Sequence, residues 1–81
     1  MITSVQQSII EVVAEILECE ESDLSMGFSK EENDEWDSVN TLRMFTSLEA
    51  EFNVRLSMEQ FLNVETIQDI VNLIEAEKYD H

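Results

Sequence analysis

The chain has 81 residues and a mass of 9.4 kDa, which allows a single domain spanning residues 1–81 with one simple core, since a fold this small buries only roughly 60% of the surface its unfolded chain exposes. Nineteen Asp and Glu against four Lys and Arg give a formal charge of -15, so a nucleic-acid backbone or an anionic membrane would repel it, and neither is expected as a partner. Hydrophobic residues at 43% suffice for a small core, while one glycine and no proline leave few tight turns and argue against an all-β fold.

From Thr3 to Glu18 the apolar residues Val5, Ile9, Val12, Val13 and Ile16 recur at helical spacing, which predicts a long amphipathic helix. Thr3 and Gln6 stand at capping-box distance and mark its start. Periodicity lapses between Cys19 and Trp36, where seven acids crowd into one stretch. A connection of this length in a compact domain is expected to be pinned, and Leu24, Met26 and Phe28 are the expected pins.

A second helix is predicted over Asp37 to Phe52, with Asp37 as N-cap and an apolar stripe of Val39, Leu42, Phe45, Leu48 and Phe52. Asn53 suits a left-handed closing residue. A short helix follows at Met58 to Leu62, opened by Ser57 and Gln60 as a second capping-box pair. The last helix starts after Thr66, with Asp69 in its first turn and Ile67, Ile70, Val71 and Ile74 facing inward. The expected fold is all-α: a small antiparallel four-helix bundle of three long helices and one short.

The inventory for catalysis is nearly empty. His81 is the sole histidine and the last residue, so no triad or Cys/His pair has a base. A zinc site of Cys and His would need several such residues, and there are two. Gly27 alone cannot build a phosphate loop, and the residues around it do not fit a calcium loop. No metal is expected. Cys19 has no basic neighbour in sequence to activate it and reads as a packing residue. One cysteine makes no internal disulfide, no apolar run approaches the roughly 20 residues that cross a bilayer, and the start lacks a basic segment before an apolar one. A cytoplasmic location is expected, and the strong like charge favours a monomer.

Ser38 directly follows the expected cap, which places its hydroxyl in the first turn, facing solvent, where free backbone N–H groups and the helix dipole tolerate a phosphate. Alone, an Asp-Ser pair means little. Its surroundings add to it: Glu35-Trp36-Asp37-Ser38-Val39, then Leu42, Phe45, Leu48-Glu49-Ala50-Glu51-Phe52, then Thr66-Ile67-Gln68-Asp69. These blocks, in order and at matching separation, resemble the acyl carrier and peptidyl carrier protein family over the whole chain.

The resemblance implies that a phosphopantetheinyl transferase esterifies Ser38 with 4'-phosphopantetheine from coenzyme A, with Asp37 capping the helix and helping that enzyme engage. It implies a carrier without catalysis of its own, holding acyl or aminoacyl groups as thioesters for adenylating, acyltransferase, condensing or tailoring enzymes. Valine stands where the family usually has leucine after the serine. Asn40 to Leu48 contain no acid, and Arg43 stands where fatty-acid carriers commonly have one, which points to a specialised polyketide, nonribosomal peptide or aminoacyl pathway. The expected partner-binding residues are Trp36, Val39, Asn40, Arg43, Met44 and Ser47, with acids as a rim. Trp36 also fits a packing role over the end of the bundle, and Met44 a place in the core. Cargo sequestered between helices would be lined by Val39, Phe45, Leu62 and Ile67. The competing reading is an acidic helical interaction or inhibitor protein without a prosthetic group.

Overall fold

A computed structural model describes residues 3–79; His81, set aside above as a base, lies outside them. Helix α1 runs Ser4–Leu17, α2 Ser38–Phe52, α3 Met58–Leu62 and α4 Ile67–Tyr79, so three long helices and one short one make an all-α fold. The only β-type pairing among the described residues is an isolated bridge between Ser29 and Thr66.

The start of α1 follows from its first residues. Thr3 Oγ1 accepts from the Gln6 amide at 3.1 Å, and the Gln6 side chain accepts from the Thr3 amide at 3.0 Å, satisfying two donors that a helix start leaves open. Val5, Ile9, Ile10, Val13, Ala14 and Leu17 are buried, and Val12 and Ile16 pack half-buried against them. Glu18 closes the helix in the left-handed region at φ 56°, a conformation that costs a residue with a Cβ about 1 kcal/mol or more. Asn53 closes α2 in the same way at φ 54°.

Residues 19–37 are a pinned connection. Leu24 is buried, and Met26 and Phe28 pack on the core, as their apolar character implied. Two short 3-10 turns, Glu21–Asp23 and Lys30–Glu32, give it local order. The first is tied to α1 by Gln7 Nε2 donating to Glu21 Oε1 at 2.8 Å. The second has its own capping box, Ser29 with Glu32. The backbone then joins the start of α4: Lys30 N–H donates to the Glu65 carbonyl at 2.8 Å, Ile67 N–H to Phe28 at 3.1 Å and Gln68 N–H to Met26 at 2.9 Å.

The core is built from α1 and α4 with one face of α2 and Phe61 of α3. Ile9, Val13, Met44, Leu48, Phe61, Ile67, Ile70, Val71 and Ile74 are fully buried, each large side chain contributing about 1.5–3 kcal/mol on leaving water. Phe45 meets Phe61 edge-on, with ring centroids 5.6 Å apart, and this pair joins α2 to α3. Ser57 Oγ accepts from Gln60 N–H, which starts α3 by one hydrogen bond.

The face that α2 buries differs from the stripe its hydropathy suggests. Asn40, Thr41, Met44 and Leu48 point inward, whereas Val39 and Leu42 are exposed. Two polar residues can turn inward because their polar atoms are satisfied there. Asn40 Nδ2 donates to the Glu35 carbonyl at 2.6 Å, and Thr41 Oγ1 to the Asp37 carbonyl at 2.7 Å. Trp36, Asn40 and Met44 are therefore corrected as partner-binding residues, because side chains 5%, 9% and 0% exposed offer a partner almost no surface. The packing does not support the cargo lining either: Val39 and Leu62 face solvent, Ile67 is fully buried, and Phe45 packs on Phe61.

Candidate functional site at the start of α2

The chain reaches α2 through a sequence of local hydrogen bonds. Asn33 Oδ1 accepts from Glu35 N–H at 2.8 Å and the Asn33 carbonyl from Trp36 N–H at 3.0 Å, turning the loop so that the indole of Trp36 drops inward. It stacks on Phe28 at 6.2 Å between centroids and 7° between planes. The indole Nε1 is buried and has no hydrogen-bond partner, so the stack forms without the acceptor a buried donor usually finds.

Asp37 then adopts extended backbone and caps the helix. Its Oδ1 accepts from Asn40 N–H at 2.9 Å, and its carbonyl accepts from Thr41 N–H at 2.8 Å. Asn40 binds in both directions, its amide N–H held by Asp37 and its side chain holding Glu35. The turn that presents Ser38 is thus clamped from beneath by a buried residue.

Ser38 itself is exposed. Its amide and that of Val39 donate to no acceptor among the described residues, because no helical turn precedes them to supply carbonyls and the Asp37 carboxylate accepts from Asn40 N–H. The site therefore offers an accessible hydroxyl, two unused backbone donors and the positive end of a helix dipole. Val39 is 64% and Leu42 43% exposed, and Arg43 and Ser47 follow on the same exposed side. On α3, Met58 and Leu62 are 41% and 43% exposed.

Elsewhere the chemistry is sparse. No cluster of three or more His, Cys, Asp or Glu suited to a metal ion occurs among the described residues. The Cys19 thiol, half-buried, is pushed up by burial and by the carboxylates of Asp23 and Glu20, which disfavours the thiolate. No helix among the described residues is long and apolar enough to cross a membrane.

This geometry can be set beside known proteins. The fold is similar to the apo doublet acyl carrier protein from prodigiosin biosynthesis, determined in solution, with a TM-score of 0.76 and 22% identity over 91% of this chain and 36% of that one. The chain thus spans about a third of that protein's length. No curated protein matches the sequence. A family model described as the phosphopantetheine attachment site matches residues 7–74. A protein of this class holds phosphopantetheine covalently on a serine and carries groups for other enzymes without catalysing their reactions. The chain belongs to the phosphopantetheine-attachment family.

Proposed function

We propose that Ser38 is the attachment residue and that the chain works as one carrier domain in a specialised polyketide, nonribosomal peptide or related pathway. The observation that carries this reading is the exposed Ser38 hydroxyl directly after the Asp37 cap, beside the unused amides of Ser38 and Val39. A phosphate ester there is compatible with the local backbone despite the overall charge of -15. In the modification, Ser38 Oγ forms a bond to the phosphorus bearing the pantetheine of coenzyme A. The pyrophosphate linkage breaks, the adenosine bisphosphate leaves, and the hydroxyl proton passes to a phosphopantetheinyl transferase. Asp37 acts by holding the turn and by contact with that enzyme.

When bound, the group supplies a thiol that carries an acyl or aminoacyl cargo as a thioester. The protein's part is to present and to dock. Val39, Leu42, Arg43 and Ser47 form the outward face next to Ser38, and it is there that adenylating, acyltransferase, condensing or tailoring enzymes engage. Trp36, Asn40 and Met44 act on that face from inside, by fixing its backbone. The carrier works as a monomer in the cytoplasm.

The test is to incubate the purified apo-protein with coenzyme A, magnesium ions and a broad-specificity phosphopantetheinyl transferase and to measure intact mass. One added phosphopantetheinyl group in the native chain, and none in Ser38→Ala, is the expected result. A Ser38→Ala variant that keeps the protein's biological activity overturns it and makes the acidic surface itself the function.

A further inference from the structure

We propose that Trp36 is a latch: its indole leaves the stack on Phe28, and the loop segment between these two residues then releases the start of α4. The latch works in the unmodified chain and needs no group on Ser38. Two features point to it, a buried donor without an acceptor and a run of carboxylates on the backbone that the indole holds down.

Trp36 is 5% exposed, and its Nε1 is the one buried side-chain nitrogen or oxygen without a hydrogen-bond partner among the described residues. A donor closed off in this way forfeits the hydrogen bond that water gives it, and a state that restores the bond is favoured by about fivefold or more on that account. The stack returns little of this, because centroids 6.2 Å apart lie toward the far end of the roughly 4.5–7 Å range for paired rings. What holds the indole in is burial of its apolar surface, on the order of 200 Å². The closed state therefore dominates, with the open one as a minor population.

The neighbouring charges favour opening as well. Glu31, Glu32, Asp34, Glu35 and Asp37 are all exposed, and Lys30 is the only base between Phe28 and Asp37. Like charges spaced this closely repel, and a released segment separates them.

Trp36 is also the side chain at which two helix starts meet. Its ring lies on Phe28, whose carbonyl accepts from Ile67 N–H. On either side of Phe28, the Met26 carbonyl accepts from Gln68 N–H and Lys30 N–H donates to Glu65. The backbone N–H of Trp36 is held by the Asn33 carbonyl, and the next residue, Asp37, caps α2. With the indole out, Phe28 loses the ring that covers it, and the backbone bonds to residues 65–68 stand without that support. One side chain thus orders the start of α4 and the turn before Ser38 together.

Native-state hydrogen exchange on the apo-protein at low urea tests the latch. The indole N–H of Trp36 should exchange with the same opening constant, within about twofold, as the amides of Lys30, Ile67 and Gln68. All four should exchange faster than the amides of Ile9 and Val13 in the core of α1. Because the chain has one tryptophan, a tryptophan-auxotrophic host places 3-benzothienylalanine at that residue alone, keeping the ring's size and replacing its N–H by sulfur. In that protein the amides of Ile67 and Gln68 should exchange at least about fivefold more slowly. Exchange of the indole N–H unrelated to that of Ile67 and Gln68 would overturn the proposal, as would exchange of all of them only together with Ile9 and Val13 in global unfolding. Unchanged or faster exchange in the folded benzothienyl protein, the result if an internal water satisfies Nε1, would overturn it too. Should the benzothienyl protein fail to fold, the shared opening constant in the native chain decides alone.

Discussion

The N-termini of α2 and α4 start from similar sequence and end in opposite states. Each has an oxygen-bearing cap: Asp37 accepts from Asn40 N–H, and Thr66 Oγ1 accepts from Asp69 N–H at 3.1 Å while Asp69 Oδ2 accepts from Thr66 N–H. At α4 the amides of Ile67 and Gln68 are then consumed by carbonyls of Phe28 and Met26, and Ile67 is fully buried. At α2 the corresponding amides of Ser38 and Val39 meet no acceptor among the described residues, and Val39 stands in solvent. The loop of residues 19–37 accounts for both outcomes. Its first half closes α4, and its second half folds Trp36 and the Glu35 carbonyl beneath α2, leaving the outer side of that helix start open. A helix start that the chain's own backbone does not fill remains available for a phosphate ester.

This contrast can be broken at its closed end first. Ile67→Ala removes a fully buried side chain from the first turn of α4 and should cost about 2–5 kcal/mol in urea denaturation. Val39→Ala, in the first turn of α2, should stay within about 0.5 kcal/mol. Equal losses would mean that the two ends are packed alike. Second, Asp37→Ala and Thr66→Ala should each cost about 1 kcal/mol as lost caps, but only Asp37→Ala should also slow modification by the transferase. Third, with nineteen acids, four bases and no ion pair among the described residues to offset repulsion, added salt should raise the melting temperature of native protein and of both cap variants. An insensitive melting temperature would show that the charges are already compensated. The smallest change concerns the other end of the helices: Glu18→Gly should stabilise by about 0.5 kcal/mol by relieving the left-handed conformation. Asn53→Gly should gain less, since asparagine tolerates that region.

Much of this was legible in the sequence, because caps and side-chain periodicity are local. Thr3 with Gln6, Asp37, Asn53, Ser57 and Thr66 all mark helix ends where the structure has them. The inward face of α2 was not legible. It depends on Asn40 reaching a carbonyl in a loop whose path no periodicity records, and hydropathy assigns an asparagine to the outside. Met44 takes a fully buried position on that face, while Leu42 is left 43% exposed. The closure of α4 is likewise made by backbone groups, which carry no residue signature. One signal was present and unread: Ser29 and Glu32 stand at capping-box spacing within the acidic stretch, and they order the segment that pairs with Glu65 and Thr66.

The central claim is that the open end of α2, and no other place on the chain, takes the prosthetic group. Peptide fragmentation after incubation with coenzyme A and transferase tests it most directly, because the chain holds eight serines. The account predicts a single phosphopantetheinyl adduct confined to the peptide containing Ser38. An adduct on any of the other seven, or none while a control carrier is modified in the same tube, would contradict it.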